Sequence, residues 1–187
     1  MTETDHIWYV GYGSNLLRER FNHYILGDQF RLGGSTATGC SDKTLPLEDK
    51  PITIPYEMFF AKESKSWGNG GVAFISTKKD ENKQTYARMW EITEEQFSEI
   101  WKQEGKGWYD EKIKLGVDEK GIPILTITSS SDLKPTKPSK EYLKTIVMGL
   151  KETYHIDNHT IWKYLSEMSG VKDKWDKVEF DNLLADV

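Results

Sequence analysis

The chain is poor in cysteine, has no excess of positive charge, and has no long apolar run. A single cysteine, Cys40, excludes an internal disulfide framework and suits a reducing compartment. No base stands beside Cys40 in the sequence, so it reads as a turn or pocket-wall thiol rather than a nucleophile. The formal net charge of −5 offers no electrostatic hold on a nucleic-acid backbone. No segment approaches the roughly 20 apolar residues needed to cross a bilayer. The start "MTETDHIWYV" lacks the basic segment and apolar core of a secretion signal. A cytoplasmic protein with no nucleic-acid or membrane partner is therefore expected. Histidine is sparse as well: His155 and His159 straddle an expected helix start, while His6 and His23 stand alone, so no metal site is expected.

Against these absences stand seven Trp and nine Tyr, residues that suit both a packed core and the wall of a small-molecule pocket. A length of 187 residues fits one domain over 1–187, with no linker, repeat or low-complexity block. "HIWYVGY" reads as a strand, and Leu17, Phe21, Tyr24 and Ile25 then recur at helical spacing. Residues 27–51, rich in Gly, Ser, Thr, Asp and Pro, are expected to form a long loop. In "ITIPYEMFF" every second residue is apolar, the period of a half-buried strand, with Pro55 marking an edge or a bulge. "GGVAFIS" fits a central strand, expected to pair as a hairpin with "TYARMWEI". Thr93 with Gln96 forms a capping-box pattern, and Gly105 is placed to end the helix it opens. A second hairpin is expected across the turn "DEKG". Ser139 caps a helix carrying the stripe Leu143, Ile146, Val147, Leu150, and another follows Asp157. Residues 171–187 form a C-terminal extension holding at most one short helix. The expected class is α+β with a largely antiparallel sheet.

Two features carry chemistry. The first is "YGSNL", where a strand passes through a Gly-Ser-Asn corner into a helix. A helix start presents unpaired N–H groups and a positive dipole end, which suit a carboxylate, a phosphate or a developing oxyanion. The plainer reading is a helix capped by Ser14 or Asn15, and the local sequence does not separate the two. A dinucleotide loop is disfavoured because Leu16 stands where its third glycine belongs. A nucleophilic role for Ser14 is disfavoured because no following glycine or nearby histidine supports it.

The second feature is Glu104. Phe97, Ile100 and Trp101 define the apolar face of their helix, and Glu104 lies seven, four and three positions beyond them. It is either half out at a frayed terminus or looking into a pocket. In an aromatic pocket, desolvation would raise its pKa into the range useful for proton transfer.

With these residues in view, the chain resembles the γ-glutamylcyclotransferase superfamily from about residue 7 to 155. "YGSNL" is similar to that family's substrate-binding loop, "GNGGVAFI" to its Gly-rich strand, "QEGKGWY" to the segment bearing its catalytic glutamate, and "KPSKEYLKTIVMGLKETY" to its C-terminal helix. The resemblance implies a small mixed β-barrel with flanking helices. It further implies a cofactor-free closure of a γ-glutamyl group to 5-oxoproline, with a small γ-glutamyl molecule as partner. Carried over residue by residue, Tyr12, Gly13, Ser14, Asn15 and Leu16 become the substrate loop, Glu104 the general acid/base, and Tyr109 and Tyr142 pocket residues. A non-catalytic sensor and an amide hydrolase on the same fold are the alternatives.

Overall fold

A computed structural model describes residues 5–105, 107–185 and 187. The chain opens with strand β1 (His6–Gly11), a single 3-10 turn (Ser14–Leu16) and helix α1 (Arg18–Leu26). Strands β2 (Asp49–Ile54), β3 (Tyr56–Ser64), β4 (Gly70–Lys79) and β5 (Thr85–Thr93) follow the long loop. Helix α2 (Glu94–Glu104) leads to β6 (Glu111–Val117) and β7 (Pro123–Thr128), and the chain ends in α3 (Lys140–Tyr154), α4 (Asn158–Ser166) and α5 (Lys177–Leu184). The architecture is a mixed α+β one.

Among the described residues, five strands form a sheet in the order β2-β5-β1-β7-β6, and β3 and β4 form a separate two-stranded ribbon. β1 lies between β5, to which it is antiparallel, and β7, to which it is parallel. Its central place explains its nearly unbroken apolar run, since both faces are covered. The apolar alternation of 52–60 is present, but Pro55 divides it: β2 pairs with β5 in the sheet and β3 with β4 in the ribbon. The expected hairpin of β4 with β5 does not form, because β5 is taken up on both edges by β1 and β2. The "DEKG" hairpin of β6 and β7 does form.

The backbone ladders of the described residues do not join into a ring. A side chain links the two sheets instead: buried Thr128 on β7 accepts from Ile75 N–H at 3.1 Å and donates to Ile75 C=O at 2.6 Å.

Helix boundaries follow local chemistry. Thr93 and Gln96 complete the capping box of α2, and Gly105 ends that helix at φ +88°. Ser139 accepts from Tyr142 N–H to cap α3, and Asp157 caps α4. One face of the sheet packs on α1 and α2 through Tyr9, Phe21, Ile25, Trp90 and Phe97. Cys40 is buried in the same layer, and burial, with Glu99 nearby, pushes its thiol pKa up to about 12. The other layer gathers the ribbon and α3 to α5. The extension belongs to this core: Val171, Phe180 and Leu183 are fully buried, and Phe180 packs on Trp162 with ring centres 4.8 Å apart.

Candidate active site

The Gly-Ser-Asn corner is not the first turn of an α-helix. Its 3-10 turn intervenes, α1 starts only at Arg18, and neither Ser14 nor Asn15 caps a helix. The buried Asn15 side chain is directed elsewhere. Its amide nitrogen donates to Glu104 Oε1 at 2.6 Å and to the Tyr9 hydroxyl at 3.3 Å.

Glu104 reaches this position because the capping box and the apolar face of α2 set the helix against the sheet, with Phe97 and Ile100 buried. The last turn then overhangs a cavity of about 260 Å³. Ser14, Glu104, Tyr109 and Tyr142 line both this cavity and a small annex of about 30 Å³ reaching under the corner. Burial holds the Glu104 carboxyl pKa above its ordinary value; Arg20, Asn15 and Tyr24 oppose the shift without cancelling it. Such a group exchanges protons nearer neutrality than an ordinary carboxylate.

Tyr109 returns to the cavity through a tight turn in which its N–H and that of Trp108 both bond to Gly105 C=O. Its hydroxyl donates to Ala73 C=O at 3.0 Å, and its ring stacks on Phe74. The Tyr142 hydroxyl accepts from Ala73 N–H at 3.0 Å. Burial raises the pKa of both phenols, that of Tyr142 to about 12, so both stay neutral. Tyr12 lines the annex, and its hydroxyl donates to Ile127 C=O at 2.8 Å.

Of the loop residues, Tyr12, Gly13, Ser14 and Asn15 line the cavity or its annex, and Leu16 lines neither. Leu16 is fully buried in the core rather than at the cavity, because the 3-10 turn rotates it toward α3. Gly13 lines the annex and is also closely packed within the protein: a Cβ there would stand 2.9 Å from both Ala73 Cβ and the Tyr142 hydroxyl. A larger residue at 13 therefore collides with β4 and α3 before it meets any ligand.

Several cavity residues went unread in the sequence, chiefly Arg20, Tyr24, Trp67 and Gln103. Arg20 lies three residues after Leu17 and four before Tyr24, on the apolar stripe of α1. The argument that singled out Glu104, a charge on an apolar face, applies to it equally. Trp67 carried no signal beyond being aromatic. The long loop stops short of the expected residue 51, because Asp49, Lys50 and Pro51 already pair with β5, and it supplies a wall: Ser35 lines the cavity, and residues 35–39 line an adjoining groove of about 420 Å³.

The fold has counterparts among solved structures. A protein described as a gamma-glutamyl cyclotransferase matches with a TM-score of 0.61 and 20% identity over 97% of this chain and 99% of its own. An uncharacterized protein from Homo sapiens matches with a TM-score of 0.61 and 21% identity over 96% of this chain and 99% of its own. YkqA from Bacillus subtilis matches at 0.56 and 18% identity over 87% of this chain and 54% of its own. The chain has the γ-glutamylcyclotransferase-like fold. No protein-family model matches it. Among curated proteins, histone deacetylase 5 of Arabidopsis thaliana is 30% identical over 201 residues, covering 86% of this chain. The chain spans only 30% of that relative's length.

Proposed function

We propose that the chain is a cyclotransferase that closes a γ-glutamyl group to 5-oxoproline and releases the attached amine or amino acid, with Glu104 as general acid/base. One observation carries this reading: a carboxyl group with a raised pKa stands in a cavity, bonded to the asparagine of a tight corner and faced by neutral tyrosines.

The α-amine attacks the γ-carbonyl carbon of the same molecule. A C–N bond forms to close the five-membered lactam, and the C–N bond to the departing group breaks. Because both reacting atoms belong to one molecule, holding it bent supplies much of the rate. The α-nitrogen loses two protons on its way from ammonium to lactam N–H; the Glu104 carboxylate takes them one after the other and passes each to the departing nitrogen, which leaves as an ammonium, so the carboxyl ends as it began. The Tyr142 hydroxyl already accepts from Ala73 N–H, which leaves its own proton for an oxygen in the cavity. No cofactor enters the scheme.

The test is release of 5-oxoproline, followed by mass, from a panel of γ-glutamyl amino acids, amines and peptides. Glu104→Gln keeps the shape but cannot take the proton, and turnover is expected to fall about a hundredfold or more. Near-normal turnover in the folded variant removes Glu104 from the mechanism. Release of glutamate in place of 5-oxoproline supports an amide hydrolase, and binding without product supports a sensor.

A further inference from the structure

Two buried side chains, Arg20 lining the cavity and Asn15 its annex, keep hydrogen-bonding capacity that the described residues leave unused, and they are of opposite kind. Arg20 is 3% exposed; its Nη2 donates to the Tyr24 hydroxyl at 2.7 Å, while Nε and Nη1 meet no acceptor. Asn15 is 6% exposed; its amide nitrogen is bonded, while its Oδ1 receives no donor. A guanidinium stays charged at any ordinary pH, and its burial with open N–H groups is unfavourable until an anionic acceptor arrives. The open carbonyl of Asn15 calls for the reverse, a donor.

Both groups act on Glu104. Asn15 bonds it directly, and Arg20 acts on it electrostatically from farther off; among the described residues no ion pair within 4.0 Å joins Arg20 to it. Arg20 is also clamped. Its guanidinium stacks on the Tyr24 ring at 4.5 Å and stands 5.7 Å from the Trp67 ring centre. Gly34, at φ +83°, closes over it so tightly that a Cβ would stand 3.1 Å from Nη2. The loop is fastened there by Gly34 N–H to Ser66 C=O at 2.9 Å.

An α-amino-acid head group carries both missing partners on one carbon: an ammonium that only donates and a carboxylate that only accepts. We propose that Arg20 holds the α-carboxylate of the γ-glutamyl group through Nε and Nη1, while Asn15 Oδ1 and Glu104 receive its α-ammonium. This rests on the cyclotransferase reading above and adds to it the anchor of the substrate. The ammonium then sits against the group that must deprotonate it, and the N–H groups of the corner are left for the γ-carbonyl oxygen rather than for the carboxylate. A carboxylate on the departing group fits less well. Its position shifts with the identity of that group, whereas the clamped guanidinium is a fixed anchor suited to the part that every γ-glutamyl substrate shares.

Three probes separate the assignments: γ-glutamyl-alanine, 4-aminobutyryl-alanine, which lacks the α-carboxylate, and γ-glutamyl-ethylamine, which lacks the departing carboxylate. Lactam release and calorimetric binding are measured for each with the parent, Arg20→Gln and the charge-preserving Arg20→Lys, folding being checked by circular dichroism. The parent is expected to prefer γ-glutamyl-alanine over 4-aminobutyryl-alanine by about a hundredfold or more. In Arg20→Gln that preference falls to about tenfold or less, with Arg20→Lys between, while the preference over γ-glutamyl-ethylamine stays within about threefold of the parent's. A parent ratio near one between the first two probes overturns the proposal without reference to any variant. So does an Arg20→Gln effect confined to the ethylamine comparison, which would move the anchor to the departing group, or a folded variant in which neither ratio changes. If the parent binds γ-glutamyl-alanine but makes no lactam, the cyclotransferase reading fails and the binding ratios still decide Arg20. No binding of any probe to the parent overturns both.

Discussion

Gly149 gives a sharp test of how the corner is held. It is buried on α3, and a Cβ there would stand 2.6 Å from Leu16 Cβ, 2.7 Å from Leu17 N and 2.8 Å from Leu16 C. Non-bonded carbons rest about 3.5–4.0 Å apart, so the methyl of Gly149→Ala intrudes by about 1 Å. Two of the three atoms are backbone and cannot rotate aside, so the corner or the helix must move. Such overpacking costs about 1–3 kcal/mol, and replacing a helical glycine by alanine returns about 1 kcal/mol. The net loss is about 0–2 kcal/mol, or up to about 8 °C in the unfolding temperature of a chain this size. The effect on turnover is expected to be larger. Asn15 and Glu104 meet across the corner, and a misplacement of about 1 Å costs about a hundredfold. Calorimetric unfolding and 5-oxoproline release are measured side by side. A variant more stable than the parent with parental turnover, as helix propensity alone predicts, would refute the packing argument.

The raised pKa of Glu104 has a stability consequence whose sign is set. A carboxyl whose folded pKa lies above its unfolded value favours the fold while protonated, and that contribution is lost as pH rises from its ordinary value of 4.5 through the folded value. Glu104→Gln is therefore expected to match the parent's unfolding temperature in acid and to exceed it increasingly toward neutral pH; a difference constant between pH 3.5 and 8 would contradict the buried-carboxyl assignment. Thr128→Val keeps the shape of the clip between the sheets but strips both partners from Ile75, and urea unfolding is expected to show a loss of about 2–4 kcal/mol. A change under about 0.5 kcal/mol would mean that the clip does not hold the ribbon to the sheet.

Local signals determined local structure. The capping box at Thr93, the glycine at 105, the "DEKG" hairpin and the caps at Ser139 and Asp157 were legible because each depends on residues a few positions apart. Strand pairing was not legible in the same way. Adjacency in sequence suggested β4 with β5, and the fold instead spent both edges of β5 on β1 and β2, a competition among distant strands that no window contains. Glu104 was found because a charge on an apolar helical face is a local anomaly, and Arg20 satisfied the same rule.

The sequence by itself determined most helix and strand segments, where the corner falls, and that one carboxylate stands at the end of an apolar helical face, since these follow from backbone propensity, capping and periodicity. Only the tertiary structure decided that Leu16 turns to the core, that Glu104 looks into a cavity, that Gly13 and Gly149 pack closely against neighbouring protein, and that Arg20 and Asn15 keep bonds open. Those outcomes depend on close packing and on hydrogen-bond satisfaction, which are properties of residues brought together from distant parts of the chain.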